Sequence, residues 1–116
     1  MAKDLRELRD ALRQFAVERD WDQNHSPKNL ASALVVEAAE LLEHFKWMPE
    51  GQSRIMGDDK KQIVAREMAD VLLYLVQLSD KLGIDLLAAA QDKMRLNAEK
   101  YPAKAARSVT GKYTEL

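Results

Sequence analysis

Cysteine is absent from the sequence, which excludes disulfides and thiolate metal sites and suits a reducing compartment. Proline and glycine are scarce, three and four residues among 116, and they cluster, so long helices fit between the clusters. No apolar run approaches the roughly 20 residues of a membrane span. The start, Met1-Ala2-Lys3-Asp4, is charged and lacks the pattern of a secretory signal. Neither sign of charge dominates either. With 18 basic against 19 acidic residues, the formal charge of -1 leaves no electrostatic footprint for nucleic acid. These absences predict a soluble, cytoplasmic protein with neither nucleic acid nor membrane as a partner. The length predicts a single domain, 1–116, whose modest core a partner subunit could extend.

What is present is helical periodicity. Leu5, Leu8, Leu12 and Phe15 recur at steps of three and four and predict a first helix over about Asp4 to Arg19. Asp20-Trp21-Asp22-Gln23-Asn24-His25 breaks the pattern and reads as a loop. Ser26-Pro27 restarts the helix, serine as cap and proline at the first helical position. Leu30, Leu34, Ala38, Leu41, Leu42 and Phe45 form the apolar face that follows. Pro49, Gly51 and Gly57 mark a connection, after which Asp58 or Asp59 is expected to cap a third helix. That helix carries Ile63, Met68, Val71, Leu72, Leu75, Val76 and Leu82 and stops at Gly83. A fourth runs from about Asp85 to Tyr101, where Pro102 ends it, and 103–116 is a tail expected extended or partly ordered. No strand pattern survives. The predicted fold class is all-α, a four-helix bundle.

Two acidic pairs interrupt the apolar faces. Glu37 and Glu40 stand three apart on the second helix, and Glu67 and Asp70 three apart on the third, so each pair shares one side of its helix. The first pair lies among Leu34, Val35, Val36, Leu41 and Leu42, and the second among Met68, Val71, Leu72 and Leu73. Like charges repel, and burying them unpaired costs several kcal/mol or shifts their pKa values. A hard divalent cation held between the two helices relieves both problems, with Mg2+ the default and Mn2+ a substitute. Solvated faces are the ordinary alternative, since acidic residues are mostly exposed. A di-iron bundle is a competitor, but its Glu-x-x-His motifs are not matched: Glu40 and Asp70 occupy the histidine positions.

Other residues suit a nucleotide. Trp21 and Trp47 flank helix ends and could stack on a base or pack the ends of the bundle. Tyr74 shares the face of Asp70. Lys93, Asn97 and Tyr101 recur every fourth residue on the last helix, lysine suited to phosphate and asparagine to a sugar or base edge, or else to plain solvation. His25 lies in the first loop, and His44, seven after Glu37, could stand behind the carboxylates.

Taken together, Glu18-Arg19-Asp20-Trp21-Asp22-Gln23, His25, Pro27-Lys28-Asn29-Leu30 and Glu37-x-x-Glu40 resemble the MazG-like all-α nucleoside triphosphate pyrophosphohydrolases. So do Trp47, Glu67-x-x-Asp70-Val71-Leu72-x-Tyr74-Leu75 and Lys93-x-x-x-Asn97-x-x-x-Tyr101-Pro102. The ending Lys112-Tyr113-Thr114-Glu115-Leu116 is similar to the dCTP pyrophosphatase branch. The resemblance implies a homodimer or homotetramer with sites built partly between subunits. It also implies Mg2+-dependent cleavage between the α- and β-phosphates of a nucleoside triphosphate. Glu37, Glu40, Glu67 and Asp70 then become metal ligands, with Glu37 or Glu40 the catalytic base. Trp21 and Trp47 become base-pocket residues; Tyr74, Lys93 and Asn97 become contacts to phosphate and sugar, and His25 matches in position. One departure stands out. Mammalian members of that branch carry a base-lining histidine where this chain has Leu12, which cannot hydrogen-bond a base. The rival expectation is a helical module that only interacts with partners or binds nucleotides.

Overall fold

The computed structural model describes residues 1–106; the ending Lys112–Leu116 lies outside them. Six α-helices and one 3-10 turn make up the described residues, with no strand among them. They are α1 (Leu5–Glu18), α2 (Pro27–Glu43), α3 (Glu50–Ser53), α4 (Asp58–Lys81), α5 (Leu86–Lys100) and α6 (Ala103–Ala106). The 3-10 turn is Asp22–Asn24. The all-α class is as expected from the sequence. Two compact units divide the chain, Met1–Ile84 and Asp85–Leu116. None of the helices described is long and apolar enough to cross a membrane.

Local chemistry accounts for most helix ends. The Asp4 carboxylate accepts from the Glu7 N–H at 2.8 Å, and Ser26 Oγ accepts from Asn29 N–H at 3.2 Å with Pro27 at the first position of α2. Asp85 caps α5 by accepting from Ala88 N–H. The helix after the Gly57 connection departs from expectation. Gly57 occupies the cap of α4 without a side-chain bond, and Asp58 and Asp59 fall inside the first turn. There they face the positive end of the helix dipole, a weaker but favourable placement.

α1 and α4 end in the same way. After α1, Asp20 N–H bonds Val17 O and Trp21 N–H bonds Ala16 O; after α4, Gly83 N–H bonds Asp80 O and Ile84 N–H bonds Ser79 O. This pairing requires a left-handed residue, supplied by Gly83 at φ 66° and, less usually, by Asp20 at φ 57°. The residue that follows then folds back over the helix. Trp21 lies edge-on to Phe15, their ring centres 5.7 Å apart.

Within the first unit α4 is the central element, packing against both α1 and α2. Glu37 of α2 meets Glu67 and Asp70 of α4, while His44, further along α2, meets Lys60, further back on α4. The two helices are therefore antiparallel. The core is Ala16, Leu30, Val64 and Val76, with Leu30 only 1% exposed. Burying one such leucine contributes about 1.5–3 kcal/mol. Leu42, Met68 and Leu72, expected on the inner faces, stand exposed with Val35 and Val36. The expected stripes are wider than the one surface that the neighbouring helix covers.

Charge joins α1 to α4. Arg13 grips Asp80 through two parallel bonds, Nε to Oδ2 at 2.8 Å and Nη2 to Oδ1 at 2.5 Å, and Lys81 reaches Asp22. The hydrogen bonds from Arg13 hold the Asp80 carboxyl below its ordinary pKa. The stability this contributes is present above the unfolded aspartate pKa and lost as pH falls through the lower, folded one.

The two left-handed positions should respond oppositely to exchange. Asp20→Gly is expected to raise stability by about 0.5–1 kcal/mol, and Gly83→Ala to lower it by about 1–2 kcal/mol. Thermal melts of the two variants test this; a loss of stability in Asp20→Gly would contradict it.

Candidate metal centre

The antiparallel packing of α2 on α4 brings carboxylates together that lie far apart in sequence. One oxygen from each of Glu37, Glu67 and Asp70 falls within 4.8 Å of the other two. Glu40, one turn beyond Glu37, is exposed and outside this trio. It still acts on Glu37. Burial, then the hydrogen bond and charge of Glu40, then the charges of Asp70 and Glu67, raise the Glu37 pKa above the ordinary glutamate value.

Hydrogen bonding shows whether a cation fits here. Oε2 of Glu37 and Oε2 of Glu67 are both buried, and neither has a hydrogen-bond partner among the described residues. Buried acceptors without donors are uncommon and each costs about 1–3 kcal/mol. Here two of them belong to carboxylates that converge with a third. An all-oxygen set of this kind suits a hard cation such as Mg2+ or Mn2+. The residues present fit the group.

His44 of α2 stands beside the trio. Its Nε2 lies 3.8 Å from Glu67 Oε1, and its Nδ1 lies 2.9 Å from the ammonium of Lys60 on α4. The sequence marks His44 as a neighbour of Glu37 on one helix face, but it does not single out Lys60. The signal that could have found Lys60 is a symmetry of spacing: Lys60 precedes Glu67 by seven residues, as Glu37 precedes His44 by seven. Only antiparallel packing makes the two spacings coincide.

The remaining candidates are distributed along the chain. Trp21, 49% exposed, sits at the end of α1 against Phe15; Trp47, 85% exposed, follows α2 with the Lys46 ammonium 5.2 Å from its ring centre. Tyr74 is half-buried on α4, one turn past Asp70. His25 closes the 3-10 turn and lines a small cavity with Leu12, Gln77, Arg9, Asp80 and Lys81. The carboxylate trio does not line that cavity. Lys93 and Asn97 lie one turn apart on α5, in the second unit.

Comparison with known proteins gives the family. A family model described as MazG-like matches residues 33–116. Human dCTP pyrophosphatase 1 is 44% identical over 97% of this chain and 67% of its own length. The rat protein of the same name is 40% identical, covering 97% of this chain and 67% of its own. The chain belongs to the MazG-like family. Among solved structures, a pyrophosphatase from Archaeoglobus fulgidus superposes with a TM-score of 0.80 at 40% identity, covering 88% of this chain and 95% of that one. This MazG-like chain therefore shares its all-helical fold with a pyrophosphatase, and the trio lies in the segment that the family match includes.

The raised Glu37 pKa sets a pH dependence whose sign can be stated. The folded chain holds that proton more tightly than the unfolded chain. Its contribution to stability is complete below the unfolded glutamate pKa and lost as pH rises through the folded one. Glu37→Gln cannot ionise. In EDTA its melting temperature should therefore gain on wild type as pH increases through that window. A difference that stays constant with pH would show that Glu37 carries no such penalty.

Proposed function

We propose that this chain hydrolyses nucleoside triphosphates between the α- and β-phosphates, releasing the nucleoside monophosphate and pyrophosphate, with Mg2+ as cofactor and Mn2+ as a substitute. It is an enzyme of the diphosphatase class, as its relatives' names and fold support. The observation that carries the metal is the trio: oxygens of Glu37, Glu67 and Asp70 converge, and two buried carboxylate oxygens lack donors. dCTP, or dCTP modified on its base, is the proposed substrate, because the human and rat relatives carry the name dCTP pyrophosphatase 1.

In this reading Glu37, Glu67 and Asp70 hold the cation, which when bound neutralises charge on the phosphate chain. Glu40 is exposed and outside the trio, beside Glu37, and is the carboxylate we assign to orient the attacking water and accept its proton. Lys93 offers its ammonium to the departing pyrophosphate, and Asn97 its amide to the sugar. Trp21, Trp47 and Tyr74 supply ring faces and a hydroxyl for the base and sugar, with His25 nearby in sequence to Trp21. Leu12 offers a base no hydrogen bond, so base choice falls to the stacking residues.

We read the whole of 1–116 as one functional domain in the cytoplasm, assembled as a homodimer or homotetramer. The exposed Val35, Val36 and Leu42 on α2 and Met68 and Leu72 on α4 support assembly, since single helix faces of this apolarity are usually covered.

The test is pyrophosphate release from dCTP, 5-methyl-dCTP, dTTP, dUTP and the ribonucleotides, with Mg2+ and with EDTA. Release that needs Mg2+ and is greatest with the cytosine nucleotides is expected. Glu67→Ala should lower turnover about 100–1,000-fold while the protein stays folded. Absence of release at every Mg2+ concentration would favour a non-catalytic helical module. Affinity for nucleotide without product would favour a binding protein.

A further inference from the structure

Lysine has only hydrogens to give. The 2.9 Å contact from the Lys60 ammonium therefore requires His44 Nδ1 to be the bare, accepting nitrogen of its ring. The ring proton then sits on Nε2, the atom that faces Glu67 Oε1 at 3.8 Å. Glu67 has its other oxygen, Oε2, buried and without a donor among the described residues. The two oxygens of one carboxylate are thus differentiated: one faces an imidazole N–H, and the other is buried without a donor, while one of the pair converges with oxygens of Glu37 and Asp70.

We propose that Lys60 and His44 are positioning residues for Glu67. Lys60 selects the Nε2–H tautomer of His44, and that N–H, 3.8 Å from Oε1 and so beyond hydrogen-bond length, attracts this oxygen and biases the orientation in which the carboxylate meets the cation. The inference rests on the trio being the metal centre proposed above. It adds that the site is oriented by a cation-to-imidazole-to-carboxylate relay running across the α2–α4 interface. Groups behind metal ligands of this kind fix ligand orientation, and removing them typically weakens metal binding 10–100-fold. His44 and Glu67 are both only partly exposed, side chains 22% and 23%, so the arrangement is not a loose surface pair. Lys60 lies on the same helix as Glu67, two turns back, so α4 alone fixes the spacing between the two ends of the relay.

The test uses Mn2+ alone, titrated into the full chain while free Mn2+ is followed by electron paramagnetic resonance. Folding of each variant is checked by circular dichroism. His44→Leu is expected to weaken Mn2+ binding about 10-fold. His44→Gln, which keeps a donor that can reach Oε1, should stay within about threefold of wild type. In turnover, His44→Leu should raise the Mg2+ concentration for half-activation about 10-fold. Its kcat at saturating Mg2+ should change little, a split that a merely structural role would not produce. Nitrogen-15 imidazole spectra, with His25 as the internal reference, should show His44 as the Nε2–H tautomer and a shift of its Nδ1 resonance in Lys60→Met. Wild-type Mn2+ affinity in His44→Leu, an Nδ1–H tautomer, or an unmoved Nδ1 resonance would each overturn the relay while leaving the metal centre standing. Mn2+ binding unchanged in Glu67→Ala, or absent from wild type, would overturn the metal centre and the relay together.

Discussion

The site depends on three carboxylates being held against one another where α2 packs on α4. Two unit charges about 4 Å apart repel by roughly 4 kcal/mol at the effective dielectric of a protein surface, before screening by salt. Glu37, Glu67 and Asp70 meet within 4.8 Å, and burial adds to the repulsion at Glu37. Packing the two helices in this register is therefore opposed by its own polar contacts. Apolar burial at Leu30 of α2 and at Val64 and Val76 of α4 works in the other direction, while the forked Arg13–Asp80 pair fixes α1 on α4. A bound divalent cation would convert the repulsion into shared attraction, which is the physical reason the arrangement suits a metal enzyme.

The rest of the first unit can be understood as support for that register. Antiparallel packing places Glu37 opposite Glu67 and Asp70 at one level and His44 opposite Lys60 at another. In this arrangement the positive charge of Lys60 reaches the trio through an imidazole. A lysine placed directly among the carboxylates would neutralise them and compete with a cation for the same oxygens. Held one residue away, it can orient Glu67 without taking up the Oε2 that is left with no donor.

The core is small for the apolar content of the helices. Among the described residues four apolar ones are buried, while Val35, Val36, Leu42, Met68 and Leu72 are exposed on the two helices that build the trio. A helix with apolar residues beyond the stripe needed by its neighbour has further surface to cover. Assembly would both cover those faces and reinforce the α2–α4 packing on which the carboxylates depend.

By itself, the sequence determined what is local. Periodicity, the caps at Asp4, Ser26 and Asp85, the stop at Gly83 and both acidic pairs were legible because each depends on residues within a few positions of one another. The ordered motifs around Trp21, Glu37 and Glu67 were enough to place the family. Other features were decided only by tertiary structure. Gly57 caps α4 although Asp58 and Asp59 carry the better capping side chains, and Leu42, Met68 and Leu72 face outward because one neighbouring helix covers only part of each stripe. The convergence of Glu37 with Glu67 and Asp70 and the meeting of Lys60 with His44 both follow from the register of α2 against α4. That register is set by packing between elements separated by a connection, a relation that residue spacing along either helix does not contain.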